Sequence, residues 1–215
     1  MLKIAHRGAK LEATENSLAA FDKAIKMGVD MVELDVHQTK DGHLVVIHDP
    51  WIDRVTNGKG YVREMTLGEL KQYKTQESES IPTLEEVYEL CKGKVQVLTE
   101  IKTIDIGKNL AELIERMRCH EEVVVQSFLH GELKRFREYD LKTRTALLFD
   151  ELLFDPPTLT GYAASLQCNG VVMPFKSIRE DLVDAMHNQD YFVYSWGGES
   201  DELKKVGVDG HVFAL

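Results

Sequence analysis

The chain alternates between short apolar runs, many of them β-branched, and longer stretches whose apolar positions recur with helical spacing. The short runs predict eight strands, Leu2–His6, Met31–His37, Val95–Ile101, Val123–Phe128, Thr145–Phe149, Gly170–Met173, Phe192–Trp196 and Gly210–Phe213. The longer stretches predict helices over Ser17–Lys26, Leu84–Cys91, Ile106–Arg118, Gly131–Tyr139, Leu159–Leu166, Ile178–Asn188 and Glu202–Val206. Such alternation is typical of parallel strands joined by right-handed crossovers. Eight strands with nearly as many helices therefore predict an α/β fold, a (β/α)₈ TIM barrel.

One connection is too short to hold a crossover helix. After Met31–His37, only a short polar segment precedes a second apolar run, His43–His48. Asp41-Gly42 between two β-type runs is a strong hairpin signal, so we expect the returning strand to be antiparallel. With Asp41-Gly42 as a two-residue loop, Asp35 would lie opposite His48, and their side chains would share one face of the sheet. His37 would lie farther along the hairpin, exposed to solvent.

Three positions have the capping-box spacing, in which Thr or Ser precedes Glu by three residues. They begin at Thr66, Thr83 and Ser177. Because this motif satisfies free backbone N–H groups, it predicts helix starts and needs no ligand.

The length of 215 residues fits one domain. We predict a single barrel domain over residues 1–215, in which residues 38–82 form the hairpin and a small insertion. No apolar run is long enough for a membrane span, and the N-terminus turns polar too early for a signal peptide. The cysteines Cys91, Cys119 and Cys168 are widely spaced and fit neither a disulfide framework nor a zinc ribbon. We therefore expect a cytoplasmic protein.

The charge balance narrows the choice of partners. The chain has 26 Lys and Arg residues against 36 Asp and Glu residues, a formal net charge of −10. Nucleic-acid binding usually needs a basic face, so the sequence disfavours it. Attachment to anionic lipid is disfavoured for the same reason. An anionic small-molecule substrate would need a local metal ion or a few Lys and Arg side chains.

Acidic residues interrupt two of the predicted strands, near the ends where (β/α)₈ barrels carry active sites. Glu33 and Asp35 are two residues apart and face the same side, and Glu100 lies at the end of the next strand. Charges inside buried strands are unfavourable unless they are paired or bound to a metal. Three carboxylates without a cysteine ligand favour one hard divalent cation, Mg²⁺ or Ca²⁺, over zinc, and Mn²⁺ also fits.

Two histidines and two cations accompany these acids. His6 and His48 come from different elements that can converge, and two imidazoles can divide general acid and general base catalysis. Arg7 and Lys102 suit an anionic oxygen. Together with a metal, these groups are typical of phosphoryl chemistry. In the absence of a Gly-rich nucleotide loop, they favour hydrolysis of a phosphodiester.

The same residues lie in eight ordered motifs. These are His6-Arg7-Gly8, Glu15-Asn16-Ser17, Glu33-Leu34-Asp35-Val36, Thr39-Lys40-Asp41-Gly42, Val46-Ile47-His48-Asp49, Asp53-Arg54-Val55-Thr56-Asn57-Gly58, Ile81-Pro82-Thr83-Leu84-Glu85-Glu86 and Glu100-Ile101-Lys102. In these motifs the sequence resembles the glycerophosphodiester phosphodiesterases. The likeness is dense over the first half and thins after Phe128. It implies a barrel with a hairpin insertion and metal-dependent hydrolysis of glycerophosphodiesters to sn-glycerol 3-phosphate and an alcohol.

The resemblance also implies roles for individual residues. It implies an acid/base pair at His6 and His48, metal ligands at Glu33, Asp35 and Glu100, and phosphate contacts at Arg7 and Lys102. We expect Phe128 and Trp196 to line the substrate site, although an aromatic residue at a strand end can equally pack into the core.

The sequence departs from the family pattern on the far rim of the predicted site, at Gly197, Glu199, Phe213 and Ala214. The alcohol, the metal, the assignment of acid and base, the nucleophile (water or a substrate hydroxyl) and the oligomeric state stay open. One alternative is a lysophospholipase D-like enzyme on the same barrel, which would expose an apolar rim that the sequence does not indicate. Another is a barrel that binds metal and phosphate without cleaving, which would not need both His6 and His48.

Overall fold

Strands and helices alternate along the chain in the computed structural model, which describes residues 1–151 and 154–215. The strands are β1 (Leu2–His6), β2 (Met31–Gln38), β3 (Leu44–Val46), β4 (Gln96–Ile101), β5 (Val123–Ser127), β6 (Arg144–Leu148), β7 (Gly170–Pro174), β8 (Phe192–Trp196) and β9 (Gly210–Phe213). The helices are α1 (Leu18–Lys26), α2 (Leu67–Leu70), α3 (Leu84–Cys91), α4 (Gly107–Met117), α5 (His130–Arg137), α6 (Pro156–Ser165), α7 (Glu180–His187) and α8 (Ser200–Val206). Among the described residues, no helix is both long and apolar enough to cross a membrane.

Eight parallel strands close into a barrel, in the order β1, β2, β4, β5, β6, β7, β8, β9 and back to β1. Closure is completed by β1, which pairs with β2 on one side and with β9 on the other. The predicted (β/α)₈ fold is therefore confirmed.

The hairpin after β2 has a different register from the predicted one. β3 is antiparallel to β2, as expected, but Gln38 pairs with Leu44. The Thr39 N–H donates to the His43 carbonyl at 2.9 Å, so the loop has three residues. Gly42 closes this loop with φ +88°, a left-handed conformation that glycine adopts without a steric penalty. The predicted two-residue loop is wrong.

The extra loop residue changes what lies opposite Asp35. The N–H of Ile47 donates to the Asp35 carbonyl at 3.0 Å, so Ile47 occupies the place predicted for His48. β3 ends at Val46, and His48 lies beyond it in irregular backbone. The position of His48 is therefore set by the path of the chain after the strand and not by strand pairing.

The helix starts agree with two of the three capping boxes. The side chains of Thr66 and Thr83 accept hydrogen bonds from the backbone N–H groups three residues on. In turn, the side chains of Glu69 and Glu86 accept from the backbone N–H groups of these two threonines. Helix α7 begins at Glu180 with Arg179 before it, so the box predicted from Ser177 is wrong.

Apolar residues form three buried clusters. The inside of the barrel is filled by Ile4, Met31, Leu98, Val124, Ala146, Leu148, Val172, Tyr194 and Val212. A larger cluster lies between strands and helices, and includes Phe21, Leu84, Leu110, Phe136 and Leu182. Because both faces of the barrel strands are covered, the sequences of these strands are nearly continuous apolar runs. The segment after β3 has its own small core, which includes Ile52, Val62 and Leu70.

Candidate active site

A cavity of about 230 Å³ opens where the parallel strands end. Most residues predicted for the site line it, namely His6, Arg7, Glu33, His48, Glu100, Lys102, Phe128 and Trp196. The remaining predicted residue, Asp35, lies beside them, because one of its carboxylate oxygens is within 4.8 Å of carboxylate oxygens of Glu33 and Glu100. The structure therefore brings all the predicted site residues to one end of the barrel.

Strand alternation brings three acidic side chains together inside the barrel. Met31 and Leu98 belong to the interior cluster, so Glu33, Asp35 and Glu100 face inward at steps of two residues. Asp35 and Glu100 are also register partners. Carboxylate oxygens of the three residues all lie within 4.8 Å of one another. Their exposures are only 2 %, 1 % and 7 %.

This cluster is electrostatically unfavourable without a counterion. Burial, reinforced by the charges of Asp35 and Glu100, raises the pKa of Glu33 well above its usual range. Burial and the charge of Asp35 raise the pKa of Glu100 to about 7. Asp35 Oδ1 is buried without a hydrogen-bond partner in the described ranges. A hard divalent cation would offset all three effects, so the donor set fits Mg²⁺ or Ca²⁺.

Two cations partly neutralise the acids. The backbone N–H of Arg7 donates to Glu33 Oε2 at 3.1 Å, and Arg7 Nε lies 3.2 Å from Asp35 Oδ2. Lys102 Nζ lies 2.8 Å from Glu100 Oε1 and 3.6 Å from Asp35 Oδ1. Burial alone would lower the pKa of Lys102, but Glu100 and Asp35 outweigh it and raise the pKa.

A left-handed turn after β1 makes these contacts possible. Arg7 has φ +58° and Gly8 has φ +76°. A Cβ atom on Gly8 would lie 2.8 Å from the backbone carbon of Ala20, so the close approach of α1 requires glycine there.

Asn16 holds Asp35 in place, a role that the sequence did not assign. Its Nδ2 donates to Asp35 Oδ2 at 2.8 Å, and its backbone N–H donates to the Arg7 carbonyl at 3.0 Å. Asn16 has φ +57°, and asparagine tolerates this left-handed conformation better than most residues. The neighbouring Ser17 caps α1. The motif Glu15-Asn16-Ser17 was the signal, but its spacing alone does not show that Asn16 reaches β2.

The two histidines have opposite partners. Lys10 Nζ lies 2.8 Å from His6 Nδ1, and His6 Nε2 lies 3.9 Å from Glu33 Oε2. An ammonium group only donates, so Nδ1 must accept and Nε2 carries the proton of the neutral ring. His48 Nδ1 instead lies 2.7 Å from Asp49 Oδ1. A carboxylate only accepts, so His48 Nδ1 carries the proton and Nε2 is left as an acceptor in the neutral ring.

The environment of His6 also disfavours its charged form. Burial, together with the positive charges of Arg7 and Lys10, lowers the pKa of His6 to about 4. Lys10 was not predicted as a site residue, because only the fold brings it back over the His6 ring.

A chain of ion pairs connects the segment after β3 to the turn after β1. Arg54 lies 2.7 Å from both Asp49 and Glu15, and Glu15 lies 3.1 Å from Arg7. Although burial opposes it, the hydrogen bond from Arg54 contributes most to lowering the pKa values of Asp49 and Glu15. The sequence leaves Glu15 open between capping the first helix and holding Arg7, and the structure shows that it holds Arg7; Arg54 lies in a motif without a predicted role.

His37 is buried, and the prediction that it is exposed is wrong. Only 6 % of the residue is exposed, and Nε2 donates to the backbone carbonyl of His48 at 3.1 Å. His37 therefore anchors the backbone that carries the second histidine of the site.

The other side of the cavity is mostly apolar. It is lined by Phe128, Leu148, Val172, Trp196 and Val212. Trp196 Nε1 donates to the backbone carbonyl of Phe149 at 3.2 Å, which orients the indole as part of the wall. Phe128 is 38 % exposed, and the centroid of its ring lies 5.9 Å from Lys102 Nζ.

Comparisons with known proteins agree with this geometry. A sequence profile of the glycerophosphoryl diester phosphodiesterase family matches residues 6–213. The glycerophosphodiester phosphodiesterase of Caldanaerobacter subterraneus subsp. tengcongensis is 34% identical over 226 residues, which cover 97% of this chain and 92% of that protein. The enzyme of the same name from Bacillus altitudinis is 32% identical, with 98% and 93% covered.

Solved structures show the same fold. A glycerophosphodiester phosphodiesterase from Agrobacterium tumefaciens str. C58 matches with a TM-score of 0.87 at 25% identity, over 99% of this chain and 95% of that one. An Oleispira antarctica phosphodiesterase in complex with the product sn-glycerol-3-phosphate matches with a TM-score of 0.86 at 24% identity, over 100% and 92% of the two chains.

Proposed function

The chain belongs to the glycerophosphoryl diester phosphodiesterase family, and from this premise we propose that it hydrolyses glycerophosphodiesters to sn-glycerol 3-phosphate and an alcohol. The observation that carries the proposal is the convergence of three buried carboxylates, two cations and two histidines on one cavity. A site that only binds phosphate does not need two histidines with opposite hydrogen-bond partners.

We propose that Glu33, Asp35 and Glu100 hold one divalent cation, Mg²⁺ or Ca²⁺. When bound, such an ion supplies Lewis acidity and neutralises charge that develops on the phosphate. Arg7 and Lys102 flank the same carboxylates, so their remaining N–H groups can donate to phosphate oxygens. The substrate phosphate is therefore expected between these two cations.

His48 is suited to be the general base. Its Nδ1–H donates to Asp49, which orients the ring and stabilises the positive charge that forms when Nε2 accepts a proton. The proton comes from the nucleophile, either water or a glycerol hydroxyl. The oxygen of the nucleophile forms the new bond to phosphorus.

His6 is suited to be the general acid. Its Nε2–H points toward the carboxylate cluster, and the ring of the free protein is neutral near pH 7 because of its pKa of about 4. A bound phosphodiester adds negative charge beside the ring, so that the ring takes up a proton from solvent at Nδ1 as the substrate binds and becomes the imidazolium. His6 then gives a proton to the leaving alkoxide as its bond to phosphorus breaks.

The first test is release of sn-glycerol 3-phosphate from glycerophosphocholine, before and after EDTA treatment and with Mg²⁺ or Ca²⁺ restored. We expect activity that depends on the added ion and that is lost in His6→Ala and His48→Ala. A folded protein without activity in any divalent ion would contradict the proposal. Detection of a cyclic glycerol phosphate would identify the glycerol hydroxyl as the nucleophile.

One observation favours a second activity, cleavage of lysophospholipids by the same site. Exposed apolar side chains follow three consecutive strands at the end of the barrel that carries the cavity, at Ile104, Phe128, Leu129 and Phe154, and Phe128 among them lines the cavity. The sequence did not predict this apolar rim. An acyl chain could lie along it, whereas glycerophosphocholine would not use it. Comparing lysophosphatidylcholine with glycerophosphocholine as substrates distinguishes the two, and similar turnover of both would favour the second activity.

We propose that residues 1–215 act as a single domain in the cytoplasm, on a small-molecule substrate, with residues 38–82 as an insertion. The insertion has its own core around Ile52, yet it supplies His48 and Arg54 to the site. We therefore expect that the barrel without this insertion is inactive.

A further inference from the structure

Gln126 lies inside the barrel beside the carboxylate cluster, and the proposed chemistry gives it no role. It follows the interior residue Val124 by two positions on β5 and pairs in register with Glu100. The residue is 3 % exposed and lines the cavity. Its Oε1 is buried and has no hydrogen-bond partner within residues 1–151 and 154–215.

A buried amide oxygen without a partner is unfavourable, so such atoms usually have a ligand or an ordered water. Ser195 provides a contrast, since its hydroxyl is also buried and has no hydrogen-bond partner among the described residues. Ser195 follows the interior residue Tyr194 directly, so it faces away from the inside of the barrel. The unpaired atom of Gln126 instead belongs to a side chain that lines the cavity.

Gln126 occupies the border between the two sides of the cavity. On one side lie Glu100 on the neighbouring strand and Lys102 directly after that strand. On the other side, β6 and the loop after it bring Leu148 and Asp150 to the cavity, and β7 brings Val172. The amide is neutral and both donates and accepts hydrogen bonds, which suits a hydroxyl group. Phosphate oxygens bind more strongly to the charged donors Arg7 and Lys102.

We propose that Gln126 is a specificity-determining residue that hydrogen-bonds a hydroxyl group of the substrate's glycerol moiety. The identity of that moiety rests on the proposed function. An analogue without the hydroxyls leaves the buried amide unpaired, which is how polar sites reject isosteric apolar substrates.

The test compares the wild-type protein with Gln126→Met, which keeps the length of the side chain and removes the amide. The substrates are glycerophosphocholine and propylphosphocholine, which lacks both glycerol hydroxyls and is cleaved only if water is the nucleophile; if it is not cleaved, the binding measurement described next decides. We expect the variant to lose about 10- to 100-fold in kcat/KM on glycerophosphocholine and less than about threefold on propylphosphocholine. An equal loss on both substrates, or no loss on either, would overturn the proposal.

A binding measurement keeps this test separate from the proposed function. Isothermal titration with sn-glycerol 3-phosphate and with propyl phosphate, in the presence of Mg²⁺, needs no turnover. We expect the wild-type protein to prefer sn-glycerol 3-phosphate and Gln126→Met to lose that preference, even if the protein hydrolyses nothing. A wild-type protein without the preference, or a variant that retains it, would contradict the role of Gln126.

Two controls complete the design. Ser195→Ala removes a buried hydroxyl outside the cavity and is expected to leave the preference unchanged. Titration with Mg²⁺ alone is expected to give the same affinity for Gln126→Met and wild type, and a weaker affinity would make Gln126 part of the metal site instead. If Gln126→Met does not fold, Gln126→Leu replaces it in the same measurements.

Discussion

The two sides of the cavity are built on different principles. The ends of β1, β2 and β4 bring ionisable side chains, and nearly every one is held by another charged group within about 4 Å, as His6 is by Lys10 and Lys102 is by Glu100. The ends of β5 to β9 bring mainly apolar side chains, such as Leu148 and Val172, held by packing. Because hydrogen-bonded charges require fixed geometry and packed apolar groups tolerate adjustment, we expect chemistry on the first side and substrate preference on the second.

The largest difference between the sides should appear on removal of the general base. We expect His48→Ala to lower kcat by about 10²- to 10⁴-fold, since positioned proton transfer contributes that much to catalysis. Steady-state kinetics on glycerophosphocholine measures this. His43→Ala, at an exposed position directly after the hairpin loop, is the matched control and should retain activity. A loss of less than tenfold in His48→Ala would remove His48 from the role of base.

A smaller loss of activity is expected on changing Asp49, which contacts His48 and not the substrate. Asp49→Asn removes the carboxylate that accepts from His48 Nδ1, and we expect a loss of about 10- to 100-fold in kcat with a smaller change in KM. Asp22→Asn on the surface of α1 is the control. If Asp49→Asn behaves like Asp22→Asn, the orientation of His48 does not depend on Asp49.

The charged side should also destabilise the metal-free fold as the pH rises. The pKa of Glu100 is raised from its usual 4.5 to about 7, so its contribution to stability is present below pH 4.5 and is lost as the pH rises through 7. Glu100→Gln avoids this loss. We expect its free energy of unfolding, relative to wild type, to increase by about 1–2 kcal/mol between pH 4.5 and pH 8.

Urea denaturation of EDTA-treated protein at both pH values measures that difference. Leu148→Met, a change of similar volume on the apolar side, is the control and should show no pH-dependent difference. Saturating Mg²⁺ should reverse the effect, because the cation stabilises ionised carboxylates. A difference between Glu100→Gln and wild type that does not depend on pH would contradict the electrostatic account.

The smallest effect is expected on the apolar side. Phe128→Ala removes part of the wall and the ring near Lys102, and we expect KM for glycerophosphocholine to rise about two- to fivefold with little change in kcat. Leu141→Ala, at an exposed position between α5 and β6, serves as the control. A large loss in kcat for Phe128→Ala would show that the two sides do not divide the work as proposed.

Much of this architecture could be predicted from the sequence. The strands of a closed parallel barrel are buried on both faces, so their apolar runs stand out, and acidic residues within them, such as Glu33 and Glu100, indicate a site. The hairpin register could not be predicted, because Asp41-Gly42 can form a two-residue loop with a left-handed φ at both residues or end a three-residue loop with a left-handed φ at Gly42 alone. The capping spacing at Ser177 shows the same limit, since a helix start also depends on the preceding chain path.

By itself, the sequence determined the barrel, the end of the barrel that carries the chemistry and the residue types that meet there, since these follow from local periodicity and from charges in buried runs. Only the tertiary structure decided which partner each of these residues has. The hydrogen bond from Asn16 to Asp35, the ion pair of Arg54 with Glu15 and the position of the Gln126 amide beside Glu100 depend on the paths of separate segments in space. Hydrogen bonds act over about 3 Å, and no spacing along one strand specifies an approach that close between different elements.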